Sequence, residues 1–258
     1  MSPTSTPAIL HLAWIISSAL LYEILRIIVA PALFHCYTKD YGRLSTGKKR
    51  AWGIRFSSIS NSIIVVTLAV VSLSKPGVWT NPFQAHPWSV QASISITAGY
   101  FVADMYWMLR YPVESGAHYA YKFHHVFSLF GFYSILSYPM LGHLLSIRLL
   151  SELSQPFLHF REFLKDANIK LPIFYVLNAL CFTMTFITLT RIFSQLLFYT
   201  KLWEILGDDR FDRVPMYIHM MWFSAGAFLD ILNIYWFTLL VRGMWKILME
   251  YCTKQTEL

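Results

Sequence analysis

Runs of roughly twenty apolar residues recur along this chain, and that is the length a bilayer's hydrocarbon core demands of a helix. Seven such stretches can be read, at residues 9–34, 54–73, 92–109, 124–141, 144–160, 173–199 and 216–241. Composition supports them. The 258 residues are 56% hydrophobic and 14% charged, against about 45–50% and about 25% in a soluble domain. Too little polar surface remains to cover a water-facing globule. The expected fold class is all-α, a polytopic membrane protein of about seven transmembrane helices. The fourth and fifth stretches are short and separated by Gly142 and His143, and Ser137-Tyr138-Pro139 reads as a tight helical hairpin. Residues 9–34 are no cleavable signal: they lack a basic start, are too long, and contain Glu23 and Arg26.

The chain carries a net charge of +7, but its basic residues are scattered through short loops, which excludes a nucleic-acid partner. Cys36, Cys181 and Cys252 are far apart and show neither disulfide nor metal spacing. Thirteen Lys and Arg fall in alternate loops and the tail, including Lys39, Arg43, Lys48, Lys49 and Arg50, against four on the opposite side. By the positive-inside rule the N-terminus is expected to be luminal and the C-terminus cytosolic. Trp79 and Trp88, between the second and third stretches, are expected at the luminal interface. No inter-span segment is long enough to bury a separate core.

Eight charges remain at membrane depth: Glu23, Arg26, Arg55, Asp104, Arg148, Glu152, Arg191 and Asp230. A central charge facing lipid costs at least about 2.5–3.5 kcal/mol, so these should face inward and pair. Glu23 and Arg26 at i, i+3 share a helix face, as do Arg148 and Glu152 at i, i+4. Ion pairs that fix helix packing account for such residues without chemistry. Around Glu152, however, Ser151, Ser154 and Gln155 add two hydroxyls and an amide, and Pro156 cannot donate to the Glu152 carbonyl. A freed carbonyl in lipid needs an internal partner or water, which points to a polar pocket in the fifth stretch.

His124 and His125 follow Lys122 at the start of the fourth stretch. Imidazole exchanges protons near neutral pH and can attack an activated acyl group. Adjacent helical residues point about 100° apart, so at most one histidine faces a given cavity while the other orients it or packs at the interface. No third histidine lies at ligand spacing, so no metal is expected. Asp230 and Asn233 share a face of the last stretch, and Ser57, Ser58, Ser60 and Asn61 form a polar stripe on the second. Interhelical hydrogen bonding explains many such residues.

Together, Gly99-Tyr-Phe-Val-Ala-Asp104, His124-His125, the Arg148-to-Phe157 segment with Arg161, Arg191, and Asp230 with Asn233 and Trp236 resemble the TLC-domain family, which includes the ceramide synthases. The likeness covers residues 52–246, after an N-terminal helix and basic loop at 1–51 and before a tail at 247–258. It implies about six helices around a lipid-accessible cavity plus one extra N-terminal helix, in the endoplasmic reticulum. It also implies paired histidines in an acyl pocket, with fatty acyl-CoA as co-substrate and no other cofactor. Two positions depart from the family. Ser151-Glu-Leu-Ser-Gln155 stands where the synthases resemble His-Asp-x-x-Asp, and Asn61 stands where short members often carry histidine.

Two functions are expected from this. One is an enzyme of membrane lipid homeostasis that handles acyl groups, with His124, His125 and Glu152 as catalytic candidates. Arg148, Ser151, Ser154, Gln155, Asp104, Arg191, Asp230 and Asn233 would then bind substrate. The other is a non-enzymatic lipid-binding or lipid-chaperoning protein with the same cavity. A transporter or receptor is disfavoured, since the chain has no inverted repeat.

Overall fold

Backbone amides that cannot reach water must bond within their own segment, and every regular element among the described residues is helical. The computed structural model describes residues 8–80, 83, 88–115, 118–138, 140–169 and 171–256, without the side chains of 8, 188–191, 244 and 246–256. Helix α1 (residues 8–37) joins Ala8–Ile24 and Ala30–Tyr37 through a π-helical turn at Leu25–Val29. Next come α2 (Thr46–Leu73), α3 (Trp88–Arg110) and α4 (Tyr119–Ser137). Helix α5 (residues 142–166) contains a 3₁₀ segment at Leu150–Ser154, α6 (residues 172–205) a π-helical stretch at Met184–Phe193, and α7 is Met216–Thr256. Ile9–Tyr37, Thr46–Leu73 and Met216–Gly243 are long and apolar enough to cross a bilayer, and Pro172–Ile187 is a shorter apolar helix.

The irregular turns of α1 and α5 have a cause in the sequence. Pro31 follows the π turn of α1 and Pro156 follows the 3₁₀ segment of α5. A proline lacks the N–H for the carbonyl four residues back and crowds it, so the preceding turn must rewind. Elsewhere termini are capped in the ordinary way: Ser45 Oγ accepts the Lys48 amide at the start of α2, and Pro172 opens α6. The α4–α5 turn lies between Ser137 and Gly142, directly after the start of the expected hairpin, but the two residues expected to separate the stretches already belong to α5. Gly142 and His143 are helical, and Leu141 turns the chain at φ +60°. Burial of the Leu141 side chain holds it in that left-handed conformation. Pro139 lies outside the described residues. Of the two interfacial tryptophans, Trp88 is exposed, while Trp79 donates to the Leu73 carbonyl at 2.6 Å.

Polarity is arranged inside out. Ser57, Asn61, Ser62, Ser89, Ser93, Thr97 and Ser146 are buried, while Ile9, Leu12, Ile16, Leu20 and Ile27 line the outer face of α1. That suits a lipid surround, where small and hydroxylated residues mediate helix contacts. At Gly99 of α3 an added Cβ would collide with Ser18 Oγ and the Ile15 carbonyl of α1. At Gly53 of α2 it would meet the Arg26 carbonyl at 2.6 Å. Glycine at these two positions lets α1 lie directly against α2 and α3. Helix α7 packs chiefly on α4, and the C-terminal part of α6 on α5.

Candidate functional site

The π turn of α1 carries Arg26 into the interior, where it is 2% exposed. Its guanidinium donates to Glu23 at 2.9 Å, to Ser57 Oγ of α2 at 3.0 Å and to Asp104 of α3 at 3.0 Å. Asp104 also lies 3.2 Å from Nε2 of His125 on α4. The other nitrogen, Nδ1, is 3.0 Å from the Tyr121 carbonyl. The Asp104 carboxylate and the Tyr121 carbonyl thus flank the ring on its two nitrogen sides. Phe101 stacks on this ring with centroids 4.2 Å apart, and Trp107 Nε1 donates to Glu23. Arg26, Glu23, Asp104 and His125 form one largely buried cluster across α1, α3 and α4.

His124, one residue earlier, lines a cavity of about 240 Å³ walled by α3 to α7. Its ring lies edge-on to Trp236, with centroids 5.4 Å apart. The same walls carry Ser128 of α4, Arg148, Ser151 and Glu152 of α5, Gln195 and Tyr199 of α6, and Asn233 of α7. Between them the surface is apolar: Phe101, Phe132, Leu145, Phe198, Leu202 and Phe223. No residue of α1 or α2 is among those described in the lining.

Arg148 pairs across the bundle with Asp230, each terminal nitrogen meeting one carboxylate oxygen. Gln195 Nε2 donates to Asp230 at 2.6 Å, and the Tyr199 hydroxyl donates to it as well. The Arg148 guanidinium also sits 4.0 Å over the Phe198 ring. This corrects the expected pairing of Arg148 with Glu152. The 3₁₀ segment between them turns three residues per revolution, so i and i+4 no longer share a face. Glu152 is buried, and its carbonyl accepts Ser62 Oγ of α2 at 2.5 Å and the Gln155 amide. The group freed by Pro156 therefore finds its partner on another helix. Arg55 pairs with Asp166 at 2.6 Å, outside the set of eight charges.

The cavity brings together His124, Glu152, Arg148, Ser151 and Asn233 of the sequence candidates, with Asp230 bonded to Arg148. His125 and Asp104 stand behind its wall. Ser154 is buried and donates to the Ser151 carbonyl, and neither it nor Gln155 is in the described lining. The Arg191 side chain lies outside the described residues. His159 meets Ser58 Oγ at 2.9 Å and His219 packs on Phe211. Sequence reasoning passed over Gln195, Tyr199 and Trp222. The i, i+4 spacing of Gln195 and Tyr199 within an apolar stretch was the available signal.

Residues 51–242 match the family model of the TLC domain. The chain belongs to the TLC-domain family. TLC domain-containing protein 4-A of Xenopus laevis is 27% identical over 230 residues, 88% of each chain. TLC domain-containing protein 4 of Homo sapiens is 27% identical over 212 residues, 81% of this chain and 79% of its own. An uncharacterized TLC domain-containing protein of Schizosaccharomyces pombe is 28% identical over 237 residues, 91% of this chain and 79% of its own. All the described cavity-lining residues fall within the matched TLC domain, whereas Glu23 and Arg26 precede it. So does Tyr22, whose hydroxyl donates to Asn61 at 3.1 Å. In this TLC domain the N-terminal helix therefore completes the polar interior at Asp104 and Asn61.

Proposed function

We propose that this TLC domain handles the acyl chains of membrane lipids, with His124 as the group that receives or directs the acyl moiety. The observation that carries the reading is one cavity with apolar walls in which His124, Ser151, Glu152 and Arg148 all take part. Apolar walls with a few convergent polar groups are what a lipid chain and its reacting end require. In the enzymatic form, the His124 imidazole attacks the thioester carbonyl of fatty acyl-CoA and CoA leaves as the thiolate. The hydroxyl or amine of the accepting lipid then attacks the acyl carbonyl, Glu152 takes its proton, and the acyl–nitrogen bond breaks to return the His124 imidazole. Arg148, neutralised by Asp230, braces α5 against α7.

The same reading takes the protein as a seven-span membrane protein of the endoplasmic reticulum, N-terminus luminal, with a role in membrane lipid homeostasis. Loop charge supports the orientation. The decisive experiment is free CoA release by the purified protein in nanodiscs, given long-chain acyl-CoA and a mixed lipid extract, beside His124→Ala. Release by the unaltered protein alone supports a histidine-dependent acyl-CoA enzyme. No release from folded protein leaves the second reading, a lipid-binding regulator. Gln155, standing where synthases carry a second acid, favours that alternative.

A further inference from the structure

Two polar atoms of cavity-lining side chains are left over among the described residues: a donor, Trp222 Nε1, and an acceptor on Gln195. Gln195 lines the cavity, and its Oε1 is buried with no hydrogen-bond partner among the described residues. Its amide cannot be turned round to cure this. Nε2 faces Asp230 at 2.6 Å, and that carboxylate already receives Arg148 and Tyr199, so only the amide's donor end fits there. Oε1 is therefore a fixed acceptor. A buried acceptor without a partner is costly, and an occupant that donates to it removes the cost.

Charge narrows the donor. Arg148 is the one Lys or Arg among the described lining residues, and both its terminal nitrogens are held by Asp230. A carboxylate or phosphodiester head could accept from Trp222 Nε1 but has no proton to give Oε1, and its charge would go without a cation unless it drew Arg148 away from Asp230. An ammonium head could donate, but it would do so beside the guanidinium. An uncharged hydroxyl or amide N–H meets neither objection.

We propose that the cavity selects lipids with an uncharged, hydrogen-bond-donating head, a hydroxyl or an amide N–H, which binds Gln195 Oε1. This rests on the cavity being a lipid site, and it names the class of lipid. The test is native mass spectrometry of the full chain in non-ionic detergent, with monooleoylglycerol, oleoyl ethanolamide, oleate, oleylamine and oleoyl lysophosphatidate at equal concentrations. Monooleoylglycerol and oleoyl ethanolamide should be retained about tenfold better than the charged lipids, the effect of one buried hydrogen bond. Gln195→Leu should abolish that preference. Tyr199→Phe, which removes a donor to Asp230 but keeps Oε1, should retain it.

Equal or tighter binding of oleate, oleylamine or lysophosphatidate by the unaltered protein would overturn the selectivity and leave the lipid-site reading standing. Retention of no lipid at all would overturn both. The ranking in unaltered protein decides the question even if Gln195→Leu does not fold, and an unchanged ranking in a folded Gln195→Leu also refutes the proposal.

Discussion

Consecutive residues on an α-helix diverge by about 100°, and here that divergence separates two histidines into different surroundings. His124 reaches the cavity, while His125 turns to Asp104 and the Tyr121 carbonyl. The pair was legible in the sequence, as was the rule that only one could face the cavity. Which one does so depends on the rotation of α4 against α3, and no residue type encodes that by itself. His125→Ala should lower thermal stability in detergent by about 1–3 kcal/mol, because Asp104 loses a buried partner. His124→Ala should leave the melting temperature nearly unchanged. Equal losses in the two variants would refute the division of roles.

Among the elements, α1 and α5 owe their irregular turns to proline, and each irregular turn presents a polar group to another helix. Ser62→Ala removes the interhelical donor to the Glu152 carbonyl, which keeps the Gln155 amide, and should cost about 0.5–1.5 kcal/mol, read from thermal unfolding in detergent. The Ser60 hydroxyl on the same helix donates to the Phe56 carbonyl within its own helix, and Ser60→Ala should cost less. The ends of α2 and α5 are tied by Asp166, which receives Arg55, Lys48 and Trp52. Burial raises the pKa of that carboxyl, but hydrogen bonds from Arg55, Lys48 and Trp52 outweigh it and hold the pKa below its ordinary 3.8. The unfolded chain therefore takes up this proton first as pH falls. The stabilisation is present above about 4 and lost as pH drops through the folded value. Melting temperature should fall in that acid window, and Asp166→Asn should flatten the fall. A profile identical in Asp166→Asn would exclude the tie as its source.

At the scale of the whole molecule, the N-terminal helix is part of the polar interior rather than an appendage to the matched domain. Arg26→Met leaves Asp104 and Glu23 facing one another without their cation, and should destabilise by about 3–5 kcal/mol. Adding Asp104→Asn should recover part of that loss, since removing both partners of a buried pair is milder than removing one. A double variant no more stable than Arg26→Met would show that the pair is not the source. Long apolar stretches, helical structure and the need to pair interior charges were all legible in the chain. The bilayer imposes those demands locally, residue by residue. Of the partners, the local pair Glu23–Arg26 was legible and the distant ones were not: Arg148 goes to Asp230 and Arg55 to Asp166, and Glu152 offers its carbonyl to Ser62. Such choices arise only when proline-altered turns set the helix faces and Gly53 and Gly99 let neighbouring backbones meet. They belong to the tertiary structure because they depend on the relative rotation and separation of helices far apart in the chain.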